Sequence, residues 1–93
     1  MWVVLEKKAL RKTLIKLPIE IRKRYEKWKD IVTISGTNGL RQIKVLHDEK
    51  LKGDWKEHRS SRLGDKYRVI YKEETGKLIV KVIDVTAHDY RRK

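Results

Sequence analysis

One file of apolar residues, Leu10, Leu14, Leu17, Ile21, Tyr25, Trp28 and Val32, advances three or four positions at a time. That spacing follows the 3.6-residue turn of an α-helix and keeps the file on one face. It cannot be a single helix, because Pro18 lacks an amide hydrogen and its ring blocks the preceding turn. Pro18 does fit the first turn of a following helix. The pattern therefore predicts two amphipathic helices, over residues 7–16 and 19–32. Between the apolar positions stand mostly Lys, Arg, Glu and Asp, so each helix has one solvated face. Such a hairpin needs a flat apolar surface to pack against.

The rest of the chain can supply one. Residues 2–5 read as a short strand. Ser35-Gly36-Thr37-Asn38-Gly39 reads as a loop, since its glycines and hydroxyl residues end the helical pattern. Residues 40–52 fit a short strand, or a turn of helix followed by an ordered loop. Residues 55–63 alternate imperfectly, and Gly64-Asp65 fits a turn. Tyr67, Val69 and Tyr71 then alternate with Arg68, Ile70 and Lys72, the period of a strand. Glu73-Glu74-Thr75-Gly76 closes a hairpin, and residues 78–85, rich in Val and Ile, read as a largely buried strand. Tyr25, Trp28 and Trp55 are expected in the core, with Tyr67 and Tyr71 packing beside Val69. The order is β-α-α-β-β-β. It predicts an α+β domain spanning residues 1–93, with the hairpin on one face of a small, twisted, mostly antiparallel sheet. Arg and Lys lie on the strands themselves, so a basic sheet face or groove is expected opposite the helices.

Composition narrows the function. The chain carries 25 Lys and Arg against 13 Asp and Glu, a formal charge of +12 on 93 residues. That field favours a polyanion, and nucleic acid is the leading candidate ahead of an anionic membrane or an acidic protein. Cysteine is absent, which removes disulfides and thiolate metal sites. The three histidines are too scattered to suggest zinc, and neither a metal nor another cofactor is expected. No apolar run approaches the roughly 20 residues of a membrane span. Met1-Trp2-Val3-Val4-Leu5 is too short and lacks the basic lead of a signal peptide. A cytoplasmic protein without a membrane role is expected.

Four runs share a pattern with a known family. Leu51-Lys52-Gly53-Asp54-Trp55, Arg59-Ser60-Ser61-Arg62-Leu63, Tyr67-Arg68-Val69-Ile70-Tyr71 and Val85-Thr86-Ala87-His88-Asp89-Tyr90-Arg91-Arg92 occur in order within about 40 residues. Together they resemble the RelE/ParE superfamily of toxins, and length and element order agree over essentially the whole chain. The resemblance implies a toxin held in check by a cognate antitoxin, often a helix-turn-helix or other DNA-binding protein. Members such as RelE, YoeB and YafQ are endoribonucleases that enter the ribosomal A site and cut mRNA without a metal. The 2′-hydroxyl attacks the adjacent phosphate and leaves a 2′,3′-cyclic phosphate.

That reaction needs a proton acceptor, a cation for the extra phosphate charge and a proton donor for the leaving oxygen. The resemblance assigns Glu49, just before Lys50-Leu51-Lys52-Gly53, as the base, with Lys50 where relatives carry proline; His47 is the alternative. Arg68 matches the arginine that clamps the transition-state phosphate, a role suited to its planar fork. Arg62 stands where relatives place a basic residue or a histidine, for phosphate contact or proton transfer. His88 and Tyr90 match the terminal acid and positioning group, although Asp89 separates them, so either could reach the leaving oxygen. Lys52, His58, Arg59, Arg91 and Arg92 are candidate RNA contacts. Two other readings use the same sequence: a ParE-like inhibitor of DNA gyrase, and an inactive basic RNA-binding relative.

Overall fold

Pro18 separates the two helices, as the sequence predicts, but neither helix has its predicted length. A computed structural model, describing residues 1–64 and 66–87, contains β1 (Val3–Glu6), α1 (Leu10–Ile15), α2 (Ile19–Arg41), β2 (Glu49–Lys50), β3 (Arg59–Gly64), β4 (Tyr67–Glu74) and β5 (Ile79–Thr86). Single 3₁₀ turns occupy Lys44–Leu46, Gly53–Trp55 and Thr75–Lys77. Helix α1 starts three residues later than expected. Its N-cap is Ala9, which has no oxygen to accept an orphan amide, and acidic residues are absent from its first turn.

Helix α2 runs on past Val32, through the segment expected to be a loop. The break there is a single residue, Gly36, at φ 70 and ψ −171. A side chain at Gly36 could not be accommodated, because a Cβ would lie 2.4 Å from Nε1 of Trp2. Beyond it the helix resumes because tertiary contacts hold it. Leu40 is fully buried, the Thr37 hydroxyl donates to Glu73 at 2.6 Å, and Arg41 pairs with the same carboxylate at 2.5 Å.

The sheet has the order β1-β5-β4-β3-β2. β1 lies parallel to β5, and the other neighbours are antiparallel. The predicted order β-α-α-β-β-β thus gains only the two-residue edge strand β2. Ile21, Tyr25, Trp28 and Val32 from α2 pack against Val69, Tyr71, Val80, Val82 and Val85 from the sheet. Trp28 meets Tyr71 edge-on with ring centroids 5.3 Å apart, a favoured aromatic geometry. Tyr25 donates its hydroxyl to Glu6 at 2.5 Å, tying α2 to the end of β1. Burial, reinforced by that carboxylate, pushes the Tyr25 phenol well above its usual range, so it stays a donor.

Strand β5 buries one face rather than both, and a bulge explains its spacing. Ile70 pairs with Asp84 but Tyr71 with Val82, leaving Ile83 as the extra residue. Val82 and Val85 can then both point at the helices. Trp55 departs from expectation: it is half-buried outside the core and sits edge-on to His58 at 4.9 Å. No helix among the described residues is long and apolar enough to cross a membrane.

Candidate functional site on the open face of the sheet

Alternation along β3 and β4 sorts their polar residues onto two faces. Directly paired residues share a face. The register sets Glu49 beside Ser60, Ser60 beside Ile70, and Arg62 beside Arg68, all on the face away from the helices, where Ser60, Ile70 and Arg68 are buried and Arg62 is exposed. Arg59 lies beside Tyr71 and Ser61 beside Val69, on the helical side.

Arg68 is the centre of the open-face group. It is 6% exposed, and a guanidinium buried that far requires acceptors. Its Nε donates to the Ser60 hydroxyl. Its Nη2 donates to the His47 carbonyl at 2.9 Å and pairs with Glu49 Oε2 at 3.2 Å. The Glu49 side chain, by contrast, is 42% exposed, so its outer edge faces solvent. Arg62 is exposed directly opposite Arg68. Two like charges at paired positions repel. Glu49 offsets part of that repulsion, and a phosphate bound there would offset more.

Three predicted residues, Glu49, Arg62 and Arg68, are thus brought together. His47 joins them through its main chain, with its side chain exposed and its backbone left-handed at φ 43. Lys52 lies further along, exposed at the start of the Gly53–Trp55 turn. His58 sits before β3, two residues from Ser60 and on the far side of it from Arg62. Burial, followed by the Lys72 ammonium, holds its imidazole below the ordinary range. Arg59 is not part of the open-face group. It faces the helical side, with Nε and Nη2 both 2.8 Å from Asp48 Oδ1. Burial works against the charge on Arg59, but the Asp48 carboxylate lifts its pKa above the usual value. His88, Tyr90, Arg91 and Arg92 lie outside the described residues.

The expected basic sheet face is less basic than the strand sequences suggest. Lys72 pairs with Glu57 at 3.5 Å and Lys81 with Glu74 at 2.8 Å. Much of the positive charge is instead on the helices and the turn before them, where Lys7, Lys8, Arg11, Lys12, Arg22, Lys23 and Lys27 are exposed. Two contributors escaped the sequence reading: Ser60 and the His47 carbonyl, both acceptors for Arg68. Ser60 was findable, standing two residues before Arg62 and so on the same strand face. A carbonyl leaves no trace in sequence.

No family model matches this sequence, and no curated protein is significantly similar to it. Solved structures are similar over nearly its whole length. A chain of the archaeal RelE–RelB complex from Pyrococcus horikoshii superposes with a TM-score of 0.72 at 23% identity, covering 99% of this chain and 97% of that one. The fold is that of the RelE/ParE toxins. A chain of the heterotetrameric YoeB–YefM toxin–antitoxin complex from Staphylococcus aureus matches at 0.71 and 13% identity, over 96% of this chain and 99% of that one. The YoeB/ParE toxin from Agrobacterium tumefaciens gives 0.72 and 14%, over 96% and 100%. At these identities the likeness establishes a RelE/ParE-type architecture and leaves the chemistry to the residues.

Proposed function

We propose that the protein is the toxin of a toxin–antitoxin pair and an endoribonuclease that cuts mRNA in the ribosomal A site. The observation that carries this reading is the Glu49–Arg68 pair at 3.2 Å beside exposed Arg62, on the open face of a RelE/ParE-type sheet. Glu49 takes the proton from the ribose 2′-hydroxyl, whose oxygen bonds to phosphorus. Arg62 contacts the phosphate oxygens from solvent, and Arg68 holds Glu49 and adds positive charge from below. The bond from phosphorus to the 5′-oxygen then breaks, giving a 2′,3′-cyclic phosphate, and His88 or Tyr90 protonates the departing oxygen. Metal and cofactor have no part in this scheme.

The antitoxin fits an adjoining surface that shares Arg62 with the site. A groove of about 550 Å³ lies between α2 and the Lys44–Leu46 turn, with buried Trp28 and Leu63 at its base, Ile43, Val45 and Leu46 along one side and exposed Arg24, Lys27 and Arg62 at its edge. Val45 is 74% exposed. An apolar floor with a cationic rim suits an amphipathic helix carrying acidic residues. Its binding there would also cover Arg62.

The reading is tested by adding purified protein to ribosomes translating a defined message and mapping ends by primer extension. Cuts at fixed positions within codons, dependent on translation, are expected. Glu49→Gln should lower the cleavage rate by about 10²–10⁴-fold, the usual contribution of a general base. Intact messenger in the presence of stalled, cleaved gyrase–DNA complexes would transfer the protein to the gyrase-inhibitor class.

A further inference from the structure

We propose that Asp48, which the cleavage scheme leaves without a part, is the positioning residue that holds Glu49 against Arg68. The inference rests on the reading of the Glu49 site given above. Glu49 stands on a two-residue edge strand secured by two register pairs, Glu49 with Ser60 and Lys50 with Arg59. So short an edge frays readily unless side chains fasten it.

Asp48 is the fastening. Its side chain is 0% exposed. Oδ1 accepts from Nε and Nη2 of Arg59, both at 2.8 Å. Oδ2 accepts from the Ser61 hydroxyl at 2.6 Å and the Tyr71 hydroxyl at 2.5 Å. Four donors fill the lone-pair directions of a carboxylate, so Asp48 has no capacity left for a substrate. Its anchors are rigid: Tyr71 is fully buried against Trp28, and Arg59 and Ser61 lie on β3. Burial, together with Asp48, raises the Tyr71 phenol far enough that it remains a donor at any working pH.

Neighbouring residues of an extended strand point to opposite faces. Fixing Asp48 on the helical side therefore aims Glu49 at the open face. Arg68 completes the clamp from that side through the His47 carbonyl and Glu49 itself. The left-handed backbone of His47, at φ 43 and ψ 50, agrees with this arrangement, since such a conformation persists only where its surroundings over-determine it. Residues 47–49 are pinned from both faces of the sheet, and the base inherits that precision.

The test is Asp48→Asn, which keeps the shape and removes the charge. Single-turnover cleavage on saturating ribosomes should slow by roughly 10²-fold, the scale of an ångström-sized misplacement. The ribosome concentration for half-maximal rate should change less than about twofold, because ground-state contacts are untouched. Independently of activity, ¹⁵N NMR of the unvaried protein should show slowed rotation of the Arg68 Nη groups, lost in Asp48→Asn. A folded Asp48→Asn protein with unaltered Arg68 signals and unaltered cleavage overturns the proposal. Should that variant fail to fold, Ser61→Ala and Tyr71→Phe each remove one donor and leave the Arg59 pair. Graded losses of both readouts are expected there, and unchanged behaviour in both overturns the idea. If the parent protein cuts no messenger, the functional reading falls while the Arg68 signals still decide the positioning.

Discussion

Arg62 and Arg68 are partners across two strands, yet they bear different burdens. Arg68 is buried among acceptors that have organised around it, whereas Arg62 is exposed. Arg68→Ala strands the fully buried Ser60 hydroxyl and removes the charge partner of Glu49. The expected loss is about 1–3 kcal/mol in urea unfolding, together with activity. Arg62→Ala should leave stability within about 0.5 kcal/mol and still lower cleavage, since exposed substitutions rarely alter folding. Equal destabilisation by the two would contradict this division. His58 gives a pH prediction. Its folded pKa lies below the unfolded value of about 6.5, so below that pH the unfolded chain binds more protons. Stability should therefore fall as pH drops through about 6.5, and His58→Gln should flatten that fall in thermal melts at pH 5–7. The sequence singles out Glu49, Arg62 and Arg68 as candidates because their types and spacing follow one known pattern, and the sheet register sets them near one another. It gives Arg59 and Arg62 different roles but does not place them on opposite faces, because strand parity has meaning only once one residue's face is known. Asp48 fixes that face, and its role emerges only when β3 and β4 bring Ser61 and Tyr71 to it.

At the scale of elements, periodicity was informative wherever burial was one-sided. The α2 file and the Tyr67-Val69-Tyr71 alternation both located faces that the structure contains. Local signals failed where distant contacts overrode them. Two glycines and an asparagine suggested a loop at 35–39, but Leu40, Thr37 and Arg41 are held by the sheet strongly enough to restart the helix. The bulge at Ile83 was equally hidden, since an extra residue looks like any other until its partner strand is aligned. Gly36 tests this account. An alanine there must adopt a positive φ and also displace the Trp2 indole. A loss of about 2–4 kcal/mol is expected, combining the backbone penalty with overpacking, read as a lower urea midpoint. Replacing Gly76, where a Cβ meets nothing within 4 Å, should have a far smaller effect. If both alanines behaved alike, the break in α2 would owe nothing to the Trp2 contact.

On the proposed reading, the whole molecule separates a cleavage face from a docking groove and joins them at Arg62. The open face holds Glu49 and Arg68, while the groove lies between α2 and the Lys44–Leu46 turn; Arg62 lines the groove and stands opposite Arg68. A partner seated in the groove would therefore withdraw a phosphate contact without entering the centre of the site. Charge reversal can uncouple the two roles. Arg24→Glu with Lys27→Glu changes the rim of the groove at positions on α2, remote in sequence from Glu49 and Arg68. Encounter with an acidic partner depends on such rim charges through the on-rate, so the double reversal should slow association by about tenfold or more at low salt. That difference should shrink as salt screens the field over about 10 Å at 0.1 M. Cleavage by the free protein should persist, but the cognate partner should no longer suppress it at concentrations that silence the parent. Arg24 also donates to the Leu63 carbonyl at 3.2 Å, so Lys27→Glu alone separates charge from that structural bond. Undiminished suppression of the double variant, with an unchanged association rate, would move the partner off this groove and leave Arg62 to the nucleic acid alone.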